Sequence, residues 1–253
     1  MVYIVGAGPG DPELITVKGQ KLLSTADVVI YAGSLVNPEI LKICKDGAEI
    51  YNSAEMTLDE VIKVIQNAES KNKNTVRLHT GDPAIYGAIQ EQMDELENKK
   101  ISFEVVPGVS SFLAAAAALK KEYTLPGVTQ SVIITRCGGR TPVPDKESLK
   151  KLGQAQATMC IFLSAGLVHN VVRDLMSAGY KSSTPIAIVQ KASWPDEKIV
   201  QGTLSTIMDR LKDEKIDRTA MIVVGQCLDA KTDGYEKSKL YSPTFSHMFR
   251  SAR

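Results

Sequence analysis

Near the N-terminus, Gly6-Ala7-Gly8-Pro9-Gly10-Asp11-Pro12 forms a glycine-rich turn directly behind the apolar run 2–5. A strand feeding such a turn and then a helix is the setting in which backbone N–H groups reach a phosphate, because glycine lets the main chain come close. The residues themselves argue against that use. The third glycine of a dinucleotide loop belongs at position 11, where Asp11 would set a carboxylate beside the pyrophosphate. Pro9 and Pro12 lack the N–H that would donate to a phosphate. No Gly-Lys-Ser/Thr follows, which excludes a P-loop. Two readings remain: a rigid close-approach turn at the carboxyl end of a strand, where open α/β sheets place ligands, or a tight turn without a ligand.

A second turn of the same kind is His79-Thr80-Gly81-Asp82-Pro83-Ala84-Ile85-Tyr86-Gly87. Two glycine-bearing strand-to-helix turns in one sheet point to a shared cleft. Asp82 suits either a hydrogen-bond acceptor or a helix N-cap. The three histidines, His79, His169 and His247, have no metal-ligand spacing, so no metal site is expected. The four cysteines, Cys44, Cys137, Cys160 and Cys227, form no CxxC pair and read as idle thiols.

These turns need a scaffold. Strand-like runs at 2–5, 28–31, 75–78 and 103–106 alternate with helical spacing at 16–24, 58–68 and 86–96. Such alternation predicts a largely parallel, covered sheet. Pro107-Gly108-Val109 interrupts it, and Ser110 or Ser111 is placed to cap a helix over 112–119, which contains Ala114 to Ala118. The pattern resumes with strands at 131–135, 158–163, 185–189 and 220–224 and helices at 168–177 and 205–211. Residues 185–190 and 198–202 suit a hairpin across Trp194-Pro195-Asp196-Glu197, which would make the second sheet mixed. Trp194 reads as a hairpin anchor or as a wall against a substrate. The expected organisation is therefore two α/β domains with a cleft between them: 1–119, a linker at 120–127, and 128–253 ending in a polar tail.

Composition sets the outer bounds. The 253 residues are 43% hydrophobic and 23% charged, with a net charge of +1, which gives no sign of a nucleic-acid surface. No apolar run approaches the ~20 residues of a membrane span, and no signal peptide precedes the first strand, so a cytoplasmic location is expected.

Four ordered motifs, GAGPGDPELIT at 6–16, TGDPAIYG at 80–87, PGVSSF at 107–112 and AMIVVG at 220–225, resemble the tetrapyrrole methylases across almost the whole chain. The segments YAGSLVN at 31–37, GRTPVP at 139–144 and ASWPDE at 192–197 are similar to the branch of that family acting at C11 of precorrin-4. Glu55 departs from the pattern, which has a small residue there. The resemblance implies the tetrapyrrole methylase fold, S-adenosylmethionine (SAM) as methyl donor, a precorrin as acceptor and a homodimer. Carried over by position, the SAM contacts are Pro9, Gly81, Asp82, Pro83, Ile85, Tyr86, Ser110 and Ser111. In the second domain they are Phe162, Leu163, Ala187, Ala220 and Met221.

A precorrin carries many acetate and propionate groups, and guanidinium forks would orient it. Arg136 and Arg140, with Lys191 behind them and Asp11 facing the same trough, are the candidates; each of the basic residues also reads as a solvated surface charge. Methyl transfer to an electron-rich ring carbon requires no strong base, and no catalytic residue is assigned. Cobalt-containing and metal-free precorrin-4 are not separated by these motifs. Methylation of another tetrapyrrole, of diphthine or of ribosomal RNA is a rival on the same frame. A nucleotide-binding oxidoreductase is the rival of another class, and Asp11 argues against it.

Overall fold

The computed structural model describes residues 1–139, 141–229 and 235–252. The chain divides into two compact units: Met1–Ala118 with Lys191–Lys198, and Leu119–Gln190 with Ile199–Arg253. Residues 191–198 thus group with the first unit, and residues 120–127 with the second, where Tyr123 and Leu125 are buried.

In the first unit, β1 (Val2–Gly6), β2 (Val28–Tyr31), β3 (Glu49–Asn52), β4 (Thr75–His79) and β5 (Phe103–Val106) form a sheet of order β3-β2-β4-β1-β5. Every pairing in it is parallel. Side chains alternate across the pleat. Val5, Val29, Val76, Leu78 and Val106 pack on one face with Leu23 and Ile40. Val2, Val28 and Ile30 pack on the other with Ile62, Ile65 and Leu96. A parallel sheet is stable when both faces are covered. The helices α1 (Val17–Thr25), α2 (Leu58–Glu69), α3 (Gln90–Asn98) and α4 (Ser111–Leu119) supply much of that cover. Helix α2 starts from a capping box in which Thr57 and Glu60 satisfy each other's backbone N–H.

Two elements differ from the periodicity. The helix expected from residue 86 begins only at Gln90, because Tyr86 (φ 55°) and Ala88 (φ 49°) sit in the left-handed region, which no helix interior accepts. Strand β3 carries too little apolar alternation to be seen in sequence: Glu49 and Ile50 are exposed and the strand lies at the sheet edge.

In the second unit, β6 (Val132–Arg136), β7 (Thr158–Phe162), β8 (Pro185–Gln190), β9 (Lys198–Thr203) and β10 (Ala220–Val224) form a sheet of order β6-β7-β10-β8-β9. Strands β6 and β7 are parallel, while β10 is antiparallel to both β7 and β8, so this sheet is mixed as expected. Consecutive β8 and β9 are neighbours, which realises the hairpin. Helices α5 (Leu149–Leu152), α6 (Val168–Ser177) and α7 (Ile207–Arg210) accompany it. Met159, Ile161, Ile186, Ile188, Ile222 and Val224 enter the core with Val171 and Leu175 of α6. The cysteines are unpaired, and burial pushes the Cys160 thiol up to about 12. Among the described residues no helix is long and apolar enough to cross a membrane.

Candidate active site

Neighbouring strands β4, β1 and β5 all end at the same edge of the first sheet, and each runs into a glycine turn. The Gly6 and Gly81 turns are joined by main-chain bonds: Ala7 N donates to His79 O at 2.7 Å and Gly81 N to Gly8 O at 2.8 Å. The third turn, Pro107-Gly108, closes on both. A β-carbon at Gly6 would lie 2.6 Å from Gly108 Cα, and one at Gly108 would lie 2.2 Å from Gly81 O. Side chains are therefore excluded at both positions, and the three turns pack backbone to backbone. Sequence spacing shows two of these turns as a pair; the third joins only because β5 returns beside β1.

Asp82 fastens the arrangement. Its Oδ1 accepts from Ala84 N at 2.8 Å and its Oδ2 from Gly108 N at 2.9 Å. The carboxylate thus acts as both local cap and acceptor, but its partners are the chain's own amides. Ser110 is buried, and Ser110 Cα and Ser111 N lie 3.5 and 3.6 Å from where a Gly81 β-carbon would stand. Pro83 is buried, whereas Tyr86 is exposed although its backbone is left-handed.

The Gly6 loop is held by residues that the motif does not contain. Trp194 Nε1 donates to Pro9 O at 3.0 Å, and Asn37 Nδ2 donates to Gly10 O at 2.9 Å. Asp11 N donates to Ser193 Oγ at 3.0 Å, while Asp11 Oδ1 accepts from Glu13 N at 2.9 Å. Trp194 is an anchor, but its side chain fastens the Gly6 loop and not the hairpin that the sequence suggested. Lys191 forms an ion pair with Asp196 and lies 5.2 Å from the Trp194 ring centroid, a cation–π arrangement. Asn37 went unrecognised, and its place three residues after Ser34 in the YAGSLVN segment is the only signal that could have found it.

In the second unit Arg136 donates from Nη1 to Thr141 O at 2.9 Å and from Nη2 to Pro142 O at 2.7 Å, so its guanidinium braces its own loop. Arg140 lies outside the described residues. Leu163 follows β7 with φ 51° and is 63% exposed. An apolar residue held left-handed and facing water is costly twice over, the kind of position that marks a binding surface. Phe162 is half-buried at the end of β7. Ala187 and Met221 are buried on the sheet face opposite Ile186 and Ile222, and Ala220 pairs with Gln190 at the start of β10. Among the described residues no cluster of His, Cys, Asp and Glu could hold a metal ion.

One further feature of the first unit escaped the sequence. Arg77 and His79, two apart on β4, share the sheet face covered by α2 and are both buried. Burial lowers the Arg77 guanidinium to about 10; burial and then the Arg77 charge lower the His79 imidazole to about 3.

A family model described as tetrapyrrole (corrin/porphyrin) methylases matches residues 1–208. The cobalt-precorrin-4 C(11)-methyltransferase of Methanocaldococcus jannaschii is 55% identical over 251 residues, covering 99% of this chain and 96% of that protein. The crystal structure of a cobalt-precorrin-4 methyltransferase superposes with a TM-score of 0.88 at 48% identity, covering 90% of this chain and 96% of the other. A uroporphyrin-III C-methyltransferase from Thermus thermophilus, complexed with S-adenosylhomocysteine, gives 0.74 at 27% identity, with 90% and 92% covered.

Proposed function

The chain belongs to the tetrapyrrole (corrin/porphyrin) methylases, and we propose that it transfers the methyl group of SAM to C11 of cobalt-precorrin-4. The observation that carries this reading is the 55% identity to an enzyme of that activity over 99% of the chain. What supports the donor site is the joining of three glycine turns at the carboxyl end of the first sheet, beside Ser110 and Ser111.

SAM supplies a methyl group on a sulfonium, a carbon already activated for in-line displacement. The work left to the protein is alignment and exclusion of water. In the first unit Pro9, Gly81, Pro83, Ile85, Tyr86, Ser110 and Ser111 are the donor-binding candidates, with Asp82 shaping the Gly81 turn. In the second unit they are Phe162, Leu163, Ala187, Ala220 and Met221. The exposed side chains of Tyr86 and Leu163 suit an aromatic base. Arg136, Arg140, Lys191 and Asp11 are the candidates for holding the acceptor. Arg136 keeps guanidinium hydrogens beyond the two that brace its loop. Asp11 keeps a carboxylate oxygen beyond the one that caps Glu13. No proton need be removed for the methyl transfer itself, and no base is assigned. A cytoplasmic homodimer completes the reading, on the family resemblance.

The test is incubation with 13C-methyl-labelled SAM and either cobalt-precorrin-4 or metal-free precorrin-4, with NMR locating the new methyl carbon. Label at C11 of the cobalt substrate is expected. Label at another carbon, or transfer only to the metal-free ring, would overturn the assignment.

A further inference from the structure

A cavity of about 250 Å³ opens at the carboxyl end of β4. Its walls come from Ala32, Leu35, Ser53 and Thr57, from Thr80 and the Ile85–Gly87 end of the second turn, and from Gln92, with Arg77 and His79 against it. In the strand order β3-β2-β4-β1-β5 it lies on the β2 side of β4, whereas Gly6, Gly108 and Ser110 lie on the β1 and β5 side. It is thus set apart from the Gly6 and Gly108 turns by the strand that ends at His79, and of the second turn it takes Thr80, Ile85, Tyr86 and Gly87.

Arg77 is an unusual occupant of a central strand. It is 7% exposed, and no carboxylate among the described residues pairs with it. Its Nε donates to Gln92 Oε1 at 3.0 Å and its Nη1 to Ile30 O at 3.1 Å. Its Nη2 has no acceptor among the described residues. His79 is 4% exposed, and its Nε2 is buried without a hydrogen-bond partner. Glu91 is exposed at the rim and makes no ion pair with Arg77. A buried guanidinium without a carboxylate and an orphaned imidazole nitrogen are each costly, and a carboxylate entering the cavity would relieve both. The space equals roughly eight waters at ~30 Å³ each and falls below the ~300–1,000 Å³ of a small-molecule pocket, so it admits a side arm and not a macrocycle.

We propose that this cavity receives one carboxylate-bearing arm of the tetrapyrrole, an acetate or propionate, with Arg77 Nη2 and His79 Nε2 donating to its oxygens. The inference rests on the substrate class proposed above, a ring bearing many carboxylates. One carboxylate against one guanidinium leaves the buried set neutral, and a neutral imidazole adds a donor without adding charge. Arg77 and His79 then fix the rotation of the ring about its own axis, and so which carbon faces the methyl donor. The position on the β2 side of β4 assigns the arm to the acceptor and not to the carboxylate of SAM.

The test is equilibrium binding of cobalt-precorrin-4, in the presence of S-adenosylhomocysteine, to the wild type, His79→Leu and His79→Gln. His79→Leu is expected to weaken tetrapyrrole binding about tenfold, the usual loss for a hydrogen bond to a charged group. His79→Gln, which keeps an N–H donor, should recover most of it, and S-adenosylhomocysteine should bind all three equally. Unchanged tetrapyrrole binding in His79→Leu would overturn the proposal, as would a loss confined to S-adenosylhomocysteine. If no tetrapyrrole binds the wild type, the proposed function fails, and the cavity is read separately in the unmodified protein. There, titration with propionate should move the His79 signal in 15N-histidine NMR and spare those of His169 and His247; an unmoved His79 signal would end the proposal.

Discussion

Trp194 lies against Gly10 so closely that a β-carbon at residue 10 would stand 1.9 Å from the indole Cδ1, while the indole N–H bonds to Pro9 O at 3.0 Å. A residue 184 positions further along the chain thus holds the middle of the glycine loop, and the loop must be side-chain-free for it to do so.

Gly10→Ala is expected to push the indole off the loop and to cost about 1–3 kcal/mol, the range for overpacking a filled site. Trp194 is the only tryptophan, so its fluorescence reports the contact directly. A red-shifted emission with weaker S-adenosylhomocysteine binding is the expected result. An unshifted spectrum would mean that the packing is not maintained in solution.

Asp82 links two of the three turns through both carboxylate oxygens. Asp82→Ala leaves Gly108 N without that acceptor and should cost roughly 1.5–3 kcal/mol, as for a lost hydrogen bond to a charged group. Affinity for S-adenosylhomocysteine should fall at least tenfold by calorimetry. Asp82→Asn, whose amide offers only one acceptor oxygen, should fall between Asp82→Ala and the wild type. Full affinity in Asp82→Ala would remove this residue from the site.

His79 gives the fold a pH dependence of known sign. Its folded value, about 3, lies below the ordinary value of 6.5, so the unfolded chain binds a proton that the folded chain refuses. Stability therefore falls as pH drops below about 6.5 and goes on falling toward 3, by about 2 kcal/mol between pH 7 and pH 5. Denaturant titrations of His79→Gln over that range should show a shallower slope than the wild type. Equal slopes would place a charged or solvated imidazole at this position.

Thr57→Ala removes the capping box at the start of α2 without touching the glycine turns. A stability loss of about 1 kcal/mol is expected, with S-adenosylhomocysteine affinity unaltered. A change in that affinity would tie α2 to the donor site.

The sequence alone determined what depends on neighbours along the chain. Strands such as 28–31 and 220–224 were legible because buried strands are short apolar runs, and the 168–177 helix because its apolar residues recur at helical spacing. The Gly6 and Gly81 turns were legible because glycine and proline restrict the chain locally, and the ordered motifs carried the family. Tertiary structure decided what depends on strand order. Gly108 meets Gly6 only because β5 lies beside β1, and Trp194 reaches Gly10 only because residues 191–198 pack with the first unit. The roles of Asp82 and Arg136 turned on which amides and carbonyls the fold brought within 3 Å of them. In sequence the 75–78 run reads as a strand of a covered sheet, but nothing there marks Arg77 and His79 as a buried polar pair. Only the burial of β4 at the centre of a covered sheet leaves Arg77 without a carboxylate and His79 Nε2 without a partner, beside a cavity.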